Sequence, residues 1–183
     1  MPEALRKHMY PQITIRTAEF PADLAAMGNI FRTYAHFLQN HLGFQHICMP
    51  TYEKEIAALP GRYAPPDGIL LLALVDDAPA GCIALQPVPD HHLLPGDVTV
   101  GELKRLFVLP DFRGHHLGQR LIDDALTFAR NRSYDAIYLD TVPSRMPRPA
   151  ALYAALGFQP APCYNGNTDE GVRHFRLDLH IQV

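Results

Sequence analysis

The chain has no tryptophan, and its three cysteines, Cys48, Cys82 and Cys163, lie so far apart that no C-x-x-C pair exists. That spacing excludes a disulfide framework and a structural zinc framework, and it points to a reducing, cytoplasmic setting. Positive charge is not in surplus: 16 Lys and Arg stand against 19 Asp and Glu, for a net charge of −3. There is thus no basic footprint for nucleic acid and no polybasic anchor for a membrane. Long hydrophobic runs are missing as well. The longest clean one, Ile69 to Val75, is strand-sized and far too short to cross a bilayer. The opening MPEALRKHMYPQITIR lacks the apolar stretch of a secretory signal. Internal repeats and low-complexity linkers are absent too. What remains is 183 residues, 48% apolar and 19% charged, the size and mix of one domain over residues 1–183 with a core of its own.

Periodicity predicts seven strands and four helices. ITIR (Ile13 to Arg16) alternates as a first strand. Phe20, Leu24, Met27, Ile30, Phe31, Tyr34 and Leu38 recur at helical spacing after Pro21, and a second short helix fits Tyr52 to Leu59. Two apolar runs flank DDAPAG between Ile69 and Val88, a hairpin pattern. A long fourth strand, Val98 to Leu109, follows the loop PDHHLLPGD. Leu117, Leu121, Ile122, Ala125, Phe128 and Ala129 mark an amphipathic helix, and AIYLDTV (Ala136 to Val142) a fifth strand. Ala150 to Leu156 is a short helix with Gly157 as its left-handed cap. Phe158 opens a sixth strand, and Val172 to Ile181 alternates as a seventh. The β-α-β order in the middle implies a mixed sheet flanked by helices.

The segment RLFVLPDFRGHHLGQRLIDDAL turns from strand to helix through Arg113, Gly114 and Gly118. A helix starting there offers free N–H groups and a positive dipole end of about half a charge, and glycines let a phosphate come close. A Walker loop would need Gly-Lys-Ser/Thr, and a dinucleotide fold would need G-x-G-x-x-G; neither is present. Two readings stay open at this turn: an anion cradle with Arg113 as its cation, or a packing turn that merely contains glycines.

ELKRLFVLPDFRGHHLGQRLIDDAL, followed by IYLDTV and AALYAALGF, resembles the GNAT superfamily of N-acyltransferases. Its hallmark is Arg/Gln-x-x-Gly-x-Gly/Ala after a long fourth strand, then a tyrosine just before Leu-Gly-Phe. Arg113 and Gly118 match the outer positions, and His116 replaces the middle glycine. The similarity covers most of the chain and is clearest from Glu102 to Phe158; LDTV and CYN look like a bacterial subset whose acceptors vary. The resemblance implies an α/β (α+β) fold with a mixed, mostly antiparallel sheet of about seven strands, its fourth and fifth strands splayed. It also implies acetyl-CoA as co-substrate and no metal. The pantetheine arm would lie along Leu106, Phe107 and Val108, and the pyrophosphate on Gly114, His115, His116, Leu117, Gly118 and Gln119, beside Arg113.

Amine attack on a thioester needs a base, because an alkyl ammonium has a pKa of about 10. It also needs a donor for the departing thiolate and an N–H for the oxyanion. By resemblance Glu102 is the base, Tyr153 the acid and the Val108 amide the oxyanion donor. The alternative for Glu102 is an edge carboxylate paired with Lys104 or Arg105, and for Tyr153 core packing. Cys163, in the loop PAPCYNGN, has no histidine placed by spacing to activate it, and Cys82 reads as core. His36, His41 and His46 stand five apart and share no helix face, and the pairs His91–His92 and His115–His116 point apart, so these read as solvated surface groups rather than ligands. Tyr164, Asn165, Arg62 and Tyr63 sit in loops and read equally as acceptor-side residues or as solvated loop residues. The expected acceptor is a primary amine of a small molecule or peptide, and relatives allow a homodimer. The alternative is a non-catalytic acyl-CoA-binding module.

Overall fold

The computed structural model describes residues 11–42, 49–88 and 99–179. Cys48, His46, His91, His92 and the outer ends of the predicted fourth and seventh strands lie outside them. The elements run β1 (Ile13–Thr17), α1 (Leu24–Leu42), α2 (Met49–Ala57), β2 (Ile69–Val75), β3 (Ala78–Pro87), β4 (Val100–Val108), α3 (Leu117–Asn131), β5 (Ala136–Thr141), α4 (Pro147–Ala155), β6 (Gln159–Ala161) and β7 (Arg173–Asp178). The strands form one seven-stranded sheet in the order β1-β2-β3-β4-β5-β7-β6. All neighbours are antiparallel except β4 and β5, which the α3 crossover makes parallel.

Both faces of the sheet are covered. On one, Leu71, Ala73, Ile83, Leu85, Leu103, Ile137 and Leu139 pack under Leu121, Ile122, Ala125, Leu126 and Ala129 of α3. On the other, Leu70, Leu72, Cys82, Ala84 and Phe107 pack against Met27, Ile30, Phe31 and Ala35 of α1 and Tyr52 and Ile56 of α2. This two-sided burial explains why β2 reads as an unbroken apolar run, ILLLALV, and not as an alternating one. Helix α4 starts at Pro147, earlier than the predicted Ala150, because its prolines sit in a first turn whose N–H groups have no helical partner anyway. Gly157 takes φ 92° just past its end, as the cap requires.

Candidate active site

The sheet opens in the middle. β4 and β5 pair at Val100↔Ala136, Gly101↔Ile137 and Glu102↔Tyr138; beyond that β4 continues to Val108 and β5 to Thr141 without pairing to each other. The cause lies in β4. Cys82 is opposite Phe107 and Ala84 opposite Lys104, so Arg105 and Leu106 together face Ile83 in a bulge. Arg105 takes the left-handed backbone, φ 58°, which costs a non-glycine residue about 1–2 kcal/mol. Its side chain holds that geometry. Nε and Nη2 donate to the two Glu55 oxygens at 3.0 and 2.6 Å, and the guanidinium lies 4.7 Å from the Tyr52 ring centre. Tyr63, buried as the loop reading did not foresee, donates its hydroxyl to Glu55 at 2.6 Å, while Arg62 is exposed. The sequence carried one sign of this bulge: two successive charged residues, Lys104 and Arg105, break the alternation of the strand.

The fork leads into a cleft of about 610 Å³. It brings together Leu106, Phe107, Val108, Arg113, Gly114, His116, Leu117, Gly118 and Gln119, nine of the ten predicted cofactor residues; His115 is not on its wall. The opposite wall, unforeseen, comes from the start of α4: Arg145, Met146, Arg148 and Leu152 with their prolines. Gly114 has φ 96°, with nothing within 4 Å of where a Cβ would sit, so the loop presents bare backbone. His116 caps α3 at φ 54°, ψ 23°, a conformation that favours the glycine it replaces, and its side chain is exposed. Arg113 reaches back across the cleft. Its Nε donates to the Val108 carbonyl at 3.3 Å, and its guanidinium lies 5.3 Å from the Phe37 ring centre and 5.8 Å from that of Phe107.

Glu102 and Tyr153 are not on the cleft wall. Glu102 sits at the apex of the fork, 4% exposed. Oε1 accepts from Tyr164 Oη at 2.6 Å, Lys104 Nζ at 2.9 Å and Asn165 Nδ2 at 3.2 Å, and Oε2 from Gln86 Nε2 at 2.8 Å. Its pairing with Lys104 is thus real, and Tyr164 and Asn165 both bond to it. Burial, then the charges of Glu102 and Asp140, push the Tyr164 phenol up, so it remains a donor. Asn165 Nδ2 also donates to Asp140 Oδ2 at 3.1 Å, and Asn167 Nδ2 donates to the same oxygen at 2.8 Å. Asp140, on the parted arm of β5, was missed; it is the one carboxylate in an apolar strand. His174 lies across from it on β7. Its Nε2 donates to the Asn167 carbonyl at 2.9 Å, and Nδ1 is without a partner among the described residues.

Tyr153 is buried on α4, its ring edge-on to Phe158 at 5.8 Å. Burial, reinforced by the Asp140 charge, raises its pKa well above that of an ordinary phenol, so it holds its proton at neutral pH. Cys82 is core, 1% exposed, and burial pushes its thiol up. Cys163 is half-buried. Among the described residues, no three His, Cys, Asp or Glu side chains converge as metal ligands, and no helix is long and apolar enough to cross a membrane.

Residues 30–158 match the acetyltransferase (GNAT) family, and the chain belongs to that family as an acyltransferase. An uncharacterized N-acetyltransferase of Schizosaccharomyces pombe is 29% identical to it over 91% of this chain and 95% of its own length. A Salmonella typhimurium acetyltransferase solved with its cofactor acetyl-CoA superposes with a TM-score of 0.70 at 18% identity, covering 92% of this chain and 94% of its own. An N-acetyltransferase of Thermoplasma acidophilum solved with coenzyme A gives 0.67 at 18% identity, over 91% of this chain and 99% of its own.

Proposed function

We propose that residues 1–183 act as one domain that transfers an acetyl group from acetyl-CoA to a primary amine of a small molecule or peptide, by direct attack in a ternary complex. The observation that carries this reading is the fork. Leu106 to Val108 makes no pair with β5 and runs along a cleft that ends at the amides of Gly114 to Gly118. An extended pantetheine can add to β4 as a strand would. A pyrophosphate can take the free N–H groups at the start of α3, with Arg113 swinging from Phe37 to meet it. The two fold neighbours that carry acetyl-CoA or coenzyme A support the choice of donor.

In this reading the Val108 amide receives the oxyanion. Glu102 removes the ammonium proton through water, and Tyr153, protonated by virtue of its burial, gives a proton to the departing thiolate. A second reading, a non-catalytic acyl-CoA-binding module, draws on two features: both Glu102 oxygens already accept hydrogen bonds, and His116 occupies glycine backbone space.

Melting with saturating acetyl-CoA, and separately with pantetheine, tests the donor site. Ligand at about 100 times its Kd adds about 2.7 kcal/mol, a rise of several degrees for a domain of this size. The rise should require the pyrophosphate. Release of thiol on adding amines then separates enzyme from sensor; binding without thiol release from any amine rejects the catalytic reading.

A further inference from the structure

Three arginines, Arg113, Arg145 and Arg148, line the cleft, and no aspartate or glutamate does so among the described residues, in a chain whose net charge is −3. Coenzyme A would bring two separate anions to such a place: the pyrophosphate, and the phosphate monoester on the 3′ carbon of its ribose. The first already has its partners in the amides that open α3 and in Arg113. Arg145 and Arg148 stand on the other wall. Arg148 is exposed and makes no hydrogen bond or ion pair among the described residues.

The fold decides which end of a ligand these two would meet. β4 and β5 are parallel, so the fork opens toward the C-terminal ends of both, away from Glu102 at its apex. α3 begins beyond β4 and α4 beyond β5, and the two helices come together at that open end: a Cβ placed on Gly118 would lie 3.7 Å from Leu152 Cδ2. Arg148 is one turn before Leu152 on the same helix face, and helical side chains lean toward the N-terminus, so its guanidinium projects from that contact toward the cleft mouth.

The two helix starts offer different chemistry. α3 opens on Leu117, Gly118 and Gln119, each with a backbone N–H. α4 carries Pro147 and Pro149 in its first turn, and neither has one. This wall is therefore left to hold an anion chiefly through its side chains. A guanidinium can grip a phosphate monoester with two parallel hydrogen bonds, and the monoester carries a charge of about −1.5 to −2 at pH 7.

We propose that Arg148, with Arg145 beside it, receives the 3′-phosphate of the coenzyme, so that the protein distinguishes coenzyme A from its 3′-dephospho form. This rests on the acetyl-CoA reading of the cleft. The arginine is exposed, so the discrimination is moderate and weakens with salt.

Titration calorimetry of wild type, Arg148→Gln and Arg148→Lys with acetyl-CoA, 3′-dephospho-acetyl-CoA and succinyl-CoA is the test. Wild type should bind acetyl-CoA about 5- to 20-fold more tightly than the dephospho form, a margin that shrinks as NaCl rises from about 50 to about 500 mM. Arg148→Gln should lose most of this margin by weakening acetyl-CoA alone, with its Kd for the dephospho form within about twofold of wild type, which also reports that the variant is folded. Arg148→Lys, which keeps the charge but not the fork, should retain part of the margin. Equal Kd values for the two forms in wild type, an undiminished margin in Arg148→Gln, or an equal loss for both forms overturns the assignment while the donor reading stands. A loss confined to succinyl-CoA would move the arginine to the acyl end and overturn it as well. Binding of neither acetyl-CoA nor its dephospho form to wild type overturns both readings.

Discussion

Arg105 grips Glu55 with two hydrogen bonds, 3.0 and 2.6 Å long, across the gap between β4 and α2. The pair is the tie that keeps the bulged strand bent away from β5. Each side chain is 20% exposed, so neither charge is fully hydrated. Glu55→Gln should cost about 1–3 kcal/mol, because the guanidinium keeps its burial and loses its counter-charge. Arg105→Gly should fall less than Arg105→Ala, by about 1 kcal/mol, since glycine accepts φ 58° and alanine does not. Urea midpoints at neutral pH would measure all three.

Acid should act on the same contacts. The Asp23 carboxyl is lowered, chiefly by its bonds with Arg16. Glu55 is also lowered: burial works to raise it, but the bonds and charge of Arg105 outweigh that. A group lowered by folding contributes stability that is complete above its unfolded value, about 4, and is lost as pH falls through its folded value. Stability should therefore hold from neutral pH down to about 4 and drop below it. Asp23→Asn and Glu55→Gln should start lower and show a shallower drop, which a series of melts from pH 7 to 2 would record.

His116 should be replaceable to advantage. Glycine relieves a left-handed cap worth about 1–2 kcal/mol but loosens the unfolded chain by about 0.5–1 kcal/mol. His116→Gly is expected to gain up to about 1.5 kcal/mol, and His116→Ala to gain nothing, since it keeps the strain. If the anion cradle is the cofactor loop, the glycine variant should also bind acetyl-CoA more tightly, measured by titration calorimetry.

Tyr153→Phe should lower kcat about 10- to 100-fold and leave the fold intact, since the ring contact with Phe158 survives. Because the phenol is raised, wild-type activity should show no loss from Tyr153 ionisation up to pH 10. A pH–rate profile of both proteins is the check.

The fold was largely readable because the signals were local and repeated. The α3 stripe from Leu117 to Ala129 and the paired runs of β2 and β3 follow from burial, and burial writes a period into sequence. The cleft was readable for the same reason: strand, turn and helix start are contiguous from Leu106 to Gln119. The hydrogen-bond network at the apex of the fork was not, since it is assembled from afar. Asn165 and Asn167 reach Asp140 from the β6–β7 loop, Glu55 reaches Arg105 from α2, and Lys104 chooses Glu102 because of a bulge. Such pairings depend on register between distant strands, which no periodicity encodes. Arg145 and Arg148 escaped notice because only the docking of α4 brings them to the cleft.

The sheet ends at β6, three residues with Pro160 at their centre. A border so short, and lacking one backbone donor, gives a foreign strand almost nothing to bind. The unpaired backbone inside the fork is different, for it is long enough to be templated. It lies between the helices that cover the two faces of the sheet and runs along the cleft. This open backbone lies between two strands of the sheet, apart from the outer edges at β1 and β6 where another protein's sheet would have to add.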